Sequence, residues 1–232
     1  MHKEKIEKLT EFLHTIVRDF SPVCLASSLG AEDMLLTHLI AQERLPITLF
    51  TLDTGRLPES TLRLLARIKD YYGLTMKVYF PEREDVELLV AEQGVNGFYD
   101  SVAARKACCH VRKVKPLSRA LMGQSSWITG LRREQSLIRS HGQLQEWDVD
   151  HQLTKFAPLL EWSSSEVWDC IRSWNIPYNA LHDQGFTSIG CAPCTRAIHE
   201  GDDERSGRWW WEHSETKECG LHLTSTQEGI IV

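Results

Sequence analysis

Hydrophobic and polar residues follow two alternating patterns along the first half of the chain. Short apolar runs predict strands at 22–27 (PVCLAS), 46–54 (PITLFTLDT) and 74–80 (LTMKVYF). Apolar residues at helical spacing predict amphipathic helices at 4–20, 31–43, 60–73 and 83–94. Strands that alternate with helices of this length indicate an α/β fold, with a parallel sheet covered by helices on both faces.

The second half of the chain carries the same signals more sparsely. SSWITG (125–130) predicts a further strand. Ser163 and Glu166 have the spacing of a capping box that opens a helix over 164–175. The pattern weakens after Pro193, and from about residue 212 the chain is polar without periodicity. The sequence therefore predicts one α/β domain over 1–211 and a tail over 212–232.

The composition indicates a globular cytoplasmic protein. Hydrophobic residues make up 42% of the chain and charged residues 25%, close to the averages for soluble domains. No apolar run approaches the ~20 residues that span a bilayer, and the N-terminus lacks the apolar core of a secretory signal. The formal net charge of −6 argues against general nucleic-acid binding. We therefore expect no membrane or nucleic-acid partner.

The loop SSLGAED (27–33) lies between the first predicted strand and the following helix. Gly30 allows close approach of the backbone, Ser27 and Ser28 add hydroxyl donors, and a helix start favours an anion. The loop matches neither the Walker A motif nor the dinucleotide-binding fingerprint. An ordinary strand–helix turn is the alternative interpretation.

The loop LDTGRLPEST (52–61) follows the second predicted strand. Ligands bind at the carboxyl ends of strands in open α/β sheets, so Asp53 could accept a hydrogen bond from a nucleotide while Gly55 frees the backbone. The alternative is that Asp53 and Thr54 only cap a turn. Two such loops on successive strands favour a binding site more than either loop alone.

Arginine residues are concentrated in LRREQS (131–136) and ERSGRWWWE (204–212). Arginine pairs near loop ends suit phosphate or sulfate oxyanions, because the guanidinium group donates two parallel hydrogen bonds. Surface arginines are otherwise simply solvated. Beside the two loops, in an acidic protein, they indicate an anionic small-molecule substrate.

Four of the seven cysteines form two pairs. Cys108 and Cys109 are adjacent within a basic run, and Cys191 and Cys194 form a C-x-x-C unit. An odd number of cysteines in a reducing compartment does not suggest a disulfide framework, whereas two separated pairs suggest a four-cysteine metal site. Zinc is the usual metal for four cysteines. Adjacent thiolates favour an iron–sulfur cluster, because they can bind different irons.

The remaining cysteines differ in their surroundings. Cys219 lies in the polar stretch KECGLH near cationic residues, where a thiol can be reactive, although a lone terminal cysteine is often incidental. Cys24 and Cys170 lie among apolar residues of a predicted strand and helix, and are predicted to be small core residues.

Taken together, these motifs resemble the assimilatory adenylyl-sulfate reductases, a thioredoxin-dependent family that includes the phosphoadenylyl-sulfate reductases. The motifs span nearly the whole chain and are SSLGAED, LDTGR, KACCH, TGLRREQ, the C-x-x-C unit, GRWWWE and KECGLH. The resemblance implies an adenine-nucleotide alpha-hydrolase-like fold with a modified pyrophosphatase-type loop. It also implies a 4Fe–4S cluster on Cys108, Cys109, Cys191 and Cys194, as in the branch that prefers adenylyl sulfate.

The resemblance also implies roles for individual residues in assimilatory sulfate reduction. Cys219 would attack the sulfur of adenylyl sulfate, release AMP and become an S-sulfocysteine, from which thioredoxin would release sulfite. His222 would order the tail over the substrate. The candidates for the sulfate and phosphate oxygens are Lys113, Arg132, Arg205 and Arg208. The candidates for the nucleotide site are Ser27, Ser28, Gly30, Asp53 and Gly55.

Several alternatives stay open from the sequence. The enzyme could use 3′-phosphoadenylyl sulfate as well or mainly. An ATP pyrophosphatase of the same fold would be expected to keep an S-G-G-x-D-S loop, from which the residues after Ser28 depart. A regulatory module with an iron–sulfur cluster or zinc would leave Cys219 without a catalytic role. The sequence is also compatible with a homo-oligomer.

Overall fold

The computed structural model describes residues 2–213 and residue 217, apart from the side chains of residues 137 and 138. The helices are α1 (Lys3–Phe20), α2 (Ala31–Gln42), α3 (Glu59–Tyr72), α4 (Arg83–Gln93), α5 (Val102–Cys109), α6 (Lys115–Leu121) and α7 (Ser164–Ser173). The strands are β1 (Val23–Ala26), β2 (Thr48–Leu52), β3 (Lys77–Tyr79), β4 (Ser126–Ile128), β5 (Gln145–Asp148) and β6 (Leu153–Phe156). Short 3₁₀ turns connect several of these elements.

The strands form one six-stranded sheet in the order β3-β2-β1-β4-β6-β5. All neighbouring strands are parallel except β5, which pairs antiparallel with β6 at the edge. The prediction of an α/β fold is confirmed, and the purely parallel sheet is corrected at this edge strand. The chain runs from β1 to β2 and β3 on one side of the sheet, and then crosses back to β4 on the other side of β1. Such a reversal opens a crevice at the carboxyl ends of the strands, where ligands bind.

Both faces of the sheet are covered, as the alternation of strands and helices predicts. Leu25 of β1 packs in the larger core with α1, α2 and α7, whereas its neighbour Cys24 packs on the opposite face with Leu117 of α6. Cys24 and Cys170 are both buried, which confirms their prediction as core residues. Burial of a side chain such as Leu13 or Ile16 of α1 stabilises the fold by about 1.5–3 kcal/mol. The first helix therefore closes one face of the sheet.

The segment between β3 and β4 contains α5, which carries Cys108 and Cys109, and α6, which packs on the sheet. Ser101 caps α5 by accepting a hydrogen bond from the Ala104 N–H, and a wider π-helical turn over His110–Val114 joins α5 to α6. Pro116 has no N–H to donate to the carbonyl four residues earlier, which accounts for a locally widened turn. This turn carries Arg112 inward, where it is buried.

None of the helices within residues 2–213 is both long enough and apolar enough to cross a membrane.

Candidate functional site

A cavity of about 180 Å³ lies at the carboxyl ends of β1, β2 and β4. Its apolar walls include Phe50, Leu52, Leu117, Trp127 and Ile189. Its polar and charged lining includes Ser27, Ser28, Glu32, Asp33, Thr54, Lys113, Thr129, Gln135, Arg139, His182, Ser188, Glu204, Arg205 and Arg208. An apolar wall beside convergent polar groups is the usual construction of a small-molecule site.

The loop after β1 forms one side of this cavity. Ser28 donates its backbone N–H and its hydroxyl to Asp33 Oδ2, at 2.6 and 2.7 Å. Leu29 adopts a φ of 63°, and its N–H donates to Ser27 Oγ at 3.2 Å. Gly30 caps α2 without a side-chain hydrogen bond to the first turn. The predicted residues Ser27, Ser28 and Gly30 therefore line the cavity beside a helix start that favours an anion.

The loop after β2 contacts both the cavity and one of the paired cysteines. Thr54 lines the cavity and its hydroxyl lies 3.2 Å from Cys191 Sγ. Arg112 Nη1 donates to the Thr54 carbonyl at 2.7 Å. Asp53 accepts the Gly55 N–H at 2.8 Å, which is the turn geometry that the alternative interpretation expects. Asp53 and Gly55 thus flank a cavity residue, and their contact with substrate stays a prediction.

Cationic side chains also line the cavity. They are Lys113, Arg205 and Arg208, which the resemblance names as substrate ligands, and Arg139. The guanidinium of Arg208 is buried and lies 4.7 Å from the ring centre of Trp209. A Cβ on Gly190 would overlap this guanidinium, so any other residue there would require the arginine side chain to move. Arg205 and Arg208 are therefore buried cations, whereas Lys113 and Arg139 are half-buried.

Arg132 is placed behind the cavity wall. Its Nε donates to Glu32 Oε1 and its Nη2 donates to Glu204 Oε2, both at 2.6 Å. Gln135 Nε2 also donates to Glu32 Oε1, at 3.0 Å. Arg132 thus joins the start of α2 to the segment that carries Arg205. Direct contact of Arg132 with the substrate stays a prediction, and its observed partners are carboxylates.

The four paired cysteines share a second, smaller cavity of about 20 Å³. Cys109, Cys191 and Cys194 are buried in one cluster with Trp209, and Cys108 packs against them. Burial raises the pKa of Cys194 to about 11, although Lys113 and Arg208 oppose this by favouring the thiolate. Burial likewise raises the pKa of Cys108, against the attraction of Arg112.

The donor set of this second cavity matches an iron–sulfur cluster. Four sulfur donors around one cavity are the ligands that a 4Fe–4S cluster takes, and Arg56, Arg105, Arg112 and Lys113 are cations on the same walls. Within 2–213 and at 217, no group of three or more His, Cys, Asp or Glu side chains is arranged so that it could hold a metal ion. The four cysteines therefore fit a cluster by donor type and by the charge of their surroundings, but not by the arrangement of their side chains.

Trp209 and Lys113 form the wall between the two cavities. Lys113 lines both cavities, and Trp209 lines the larger cavity while packing against the cysteines. The backbone N–H of Trp209 also donates to the Cys194 carbonyl at 3.1 Å. Arg105 lies 4.7 Å from the Trp209 ring centre and pairs with Glu212 at 2.8 Å. The cysteines are thus separated from the larger cavity by a single layer of side chains.

Several cavity residues escape analysis of the sequence alone. Thr54, Arg139 and His182 line the larger cavity. Arg139 lies in a 3₁₀ turn and His182 in another, where no hydrophobic period marks a position as facing a site. Thr54 is predicted from the sequence only as a turn cap, because its neighbours Asp53 and Gly55 carry the stronger signals. Cys219 and His222 lie outside the described residues.

The protein is of the α/β class, with a cavity lined by cations and hydroxyl groups at the point where the order of the strands reverses. A family model described as the phosphoadenosine phosphosulfate reductase domain matches residues 22–197. The chain belongs to this family of reductases.

Curated relatives agree with this membership. The chain is 55% identical over 212 residues to "Adenosine 5'-phosphosulfate reductase" of Allochromatium vinosum, covering 91% of this chain and 83% of the relative. It is 50% identical over 220 residues to a protein of the same name from Neisseria meningitidis serogroup B, covering 94% and 89%.

Solved structures support the fold. A phosphoadenylyl-sulfate reductase from Candida auris superposes with a TM-score of 0.70 at 24% identity, covering 82% of this chain and 90% of that chain. An NMN synthetase from Francisella tularensis superposes with a TM-score of 0.53 at 14% identity, covering 75% and 71%. The predicted adenine-nucleotide alpha-hydrolase-like fold is confirmed.

Proposed function

We propose that the protein reduces adenylyl sulfate to sulfite and AMP, with Cys219 as the nucleophile. The observation that carries the proposal is the cavity lined by Lys113, Arg205 and Arg208 and bounded by the four-cysteine site. The anionic oxygens of a phosphosulfate group can accept hydrogen bonds from these three cations. The names of the curated relatives support the same substrate.

The reaction would proceed in two steps. The Cys219 thiolate attacks the sulfur of adenylyl sulfate, an S–S bond forms, and the S–O bond to the phosphate breaks. AMP leaves with the bonding electron pair, and the cations of the cavity stabilise the negative charge on its oxygens. Cys219 then carries the sulfonate group as S-sulfocysteine. Two residues before it, Lys217 Nζ donates to the Ser206 carbonyl at 3.2 Å.

A dithiol protein of the thioredoxin type would complete the reaction. One of its thiolates attacks Cys219 Sγ, and sulfite leaves with the electron pair of the S–S bond. Its second thiolate then forms a disulfide with the first and releases Cys219. The dithiol is oxidised by two electrons and the sulfur of the substrate is reduced by two, in keeping with an assimilatory role. No electron needs to pass through the cysteine site.

Cys108, Cys109, Cys191 and Cys194 would hold the 4Fe–4S cluster. When bound, the cluster would fix the wall shared with the nucleotide cavity and tune its electrostatics. Lys113 and Trp209 belong to both sites. The position of the cluster would therefore affect where these two side chains lie beside the substrate. Arg112 would orient the loop at Thr54, whose carbonyl it contacts.

A turnover assay with three nucleotides tests the substrate. We expect sulfite and AMP in equal amounts from adenylyl sulfate and thioredoxin, with a lower kcat/KM for 3′-phosphoadenylyl sulfate. Similar or higher efficiency with the 3′-phosphorylated nucleotide would replace the proposed substrate by the alternative, with Arg139 an additional cation for its phosphate. Release of pyrophosphate from ATP without sulfite from either nucleotide would identify an ATP pyrophosphatase instead.

A further inference from the structure

Asp33 is a buried carboxylate between two loops that line the nucleotide cavity. It is the third residue of α2 and is 5% exposed. Its Oδ2 accepts both the backbone N–H and the hydroxyl of Ser28, at 2.6 and 2.7 Å. Its Oδ1 accepts the backbone N–H of Gly130 at 3.0 Å. One carboxylate thus connects the loop after β1 to the loop after β4.

The position of Gly130 shows how closely the second loop approaches this carboxylate. A Cβ on Gly130 would overlap Asp33 Oδ1, and it would lie 2.9 Å from the Glu32 Cβ. Even alanine would therefore separate the loop from α2. The glycine of the TGLRREQ motif thus permits the backbone contact with Asp33.

Asp33 differs from an ordinary acidic residue in the first turn of a helix. Such residues act on the N–H groups of their own helix or on its dipole. The described hydrogen bonds to the Asp33 side chain come instead from Ser28, before the helix, and from Gly130, 97 residues later in the chain. Both donors belong to residues that line the cavity. The carboxylate therefore sets the distance between two walls of the site.

We propose that Asp33 is a positioning residue for nucleotide binding, whose ionised carboxylate holds Ser28 and Gly130 at the spacing that the ligand requires. The inference rests on the proposed function for the identity of the ligand, an adenine nucleotide. Protonation places a hydrogen on one carboxyl oxygen, which then accepts an N–H poorly, so one of the two loops loses its anchor.

The charged groups near Asp33 determine when this happens. Glu32 lies beside it on α2, and with burial it disfavours the ionised form. From the loop after β4, Arg132 pairs with Glu32 at 2.6 Å and offsets that effect. From the 180–184 turn, His182 lies within electrostatic reach of Glu32. Burial, with a smaller contribution from Glu32, raises the pKa of Asp33 to about 6, against the hydrogen bonds from Ser28 and Gly130 that favour the ionised form.

Nucleotide binding to Asp33→Asn tests the proposal. Affinities for adenylyl sulfate and for AMP are measured by calorimetry on the full chain carrying Cys219→Ser, so that no sulfonate transfer occurs. We expect Asp33→Asn to weaken both affinities about tenfold or more at pH 7.5, because its amide group presents a donor to one of the N–H groups. The background with Asp33 intact should lose affinity between pH 7.5 and 5, and Asp33→Asn should lack that part of the loss.

Glu166→Gln is the matched control. Glu166 is likewise the third residue of a helix, and it accepts the Ser163 N–H at 2.8 Å, but it is not among the residues that line the cavity. We expect this variant to bind both nucleotides as the unchanged protein does. Comparing profiles between variants also removes the titration of the AMP phosphate, which is common to all of them.

Three outcomes decide the proposal. Unchanged affinity in Asp33→Asn, or a loss with a pH profile parallel to that of the control, would overturn it. If Asp33→Asn fails to fold, the pKa of the Asp33 carboxyl is measured by NMR in the protein with Asp33 intact. A pKa that AMP does not lower would overturn the proposal. If AMP binding depends on Asp33 but adenylyl sulfate is neither bound nor reduced, only the proposed function fails.

Discussion

At the scale of the residue, two of the buried carboxylates in the described part of the chain, Asp33 and Glu212, have different partners. Asp33 accepts hydrogen bonds from neutral groups, whereas Glu212 accepts two hydrogen bonds from the Arg105 guanidinium, at 2.9 and 2.8 Å. A carboxylate without a facing cation is costly to bury, and one that is paired is costly to separate from its partner. The two residues therefore give different predictions.

The stability contributed by Asp33 depends on pH. Its pKa is raised from 3.8 to about 6, so the folded state favours the protonated form. The contribution is complete below about pH 4 and is lost as the pH rises through 6. We expect Asp33→Asn to gain stability relative to the unchanged protein between pH 4 and 7, measured by urea unfolding. A constant difference over this range would contradict the raised pKa.

Removing the charge of Glu212 should destabilise the fold strongly. The Arg105 and Glu212 side chains are 0% and 3% exposed, so Glu212→Gln leaves a buried guanidinium without its counter-charge. We expect a loss of about 3–5 kcal/mol in the free energy of unfolding. Glu59→Gln removes a pair whose side chains are 76% exposed and should cost less than about 1 kcal/mol. Equal losses in the two variants would refute this difference.

At the scale of the element, local patterns predicted β1 to β4, α1 to α4 and α7, but neither α5 nor α6. The first four strands and the helix at 164–175 were found because apolar runs and a capping box are local signals. The hairpin of β5 and β6 was not predicted. Its strands have four residues each, and Trp147 of β5 is exposed. A short edge strand depends for its stability on the strand with which it pairs. A pattern in a few neighbouring residues does not show that pairing.

The predicted capping box at α7 is confirmed and can be tested for its strength. Ser163 accepts the Glu166 N–H at 3.2 Å and Glu166 accepts the Ser163 N–H at 2.8 Å. We expect Ser163→Ala to lower the free energy of unfolding by about 1 kcal/mol, with kcat/KM unchanged. The exposed Ser173→Ala at the other end of α7 should change it by less than about 0.5 kcal/mol. Identical effects at both ends would show that the cap contributes nothing.

At the scale of the whole molecule, two cavities share one wall, and the sequence predicted only part of each. The paired cysteines were predicted as one site, because cysteines mark metal binding by their type and spacing, and they line one cavity. Arg132 was predicted from its residue type as an anion ligand. Its two carboxylate partners come from segments 100 and 72 residues away, which no local pattern relates.

The cysteine site predicts the metal content of the whole protein. We expect a brown protein that contains iron and acid-labile sulfide in equal amounts, bound by Cys108, Cys109, Cys191 and Cys194. Cys109→Ser should lose both iron and sulfite production. Cys170→Ser replaces a cysteine buried in the other core and should retain the iron, measured by metal analysis. A colourless protein with one zinc ion would refute the cluster.

Transfer of the sulfonate group from the nucleotide to Cys219 is the step on which the proposed reaction depends. The most direct test is to incubate the protein with adenylyl sulfate in the absence of any thiol, and then to measure the intact mass and map the modified peptide. We predict one added SO₃ group on Cys219, released as sulfite when thioredoxin is added, and no adduct in Cys219→Ser. An unmodified Cys219, or sulfite formation by Cys219→Ser, would contradict the account.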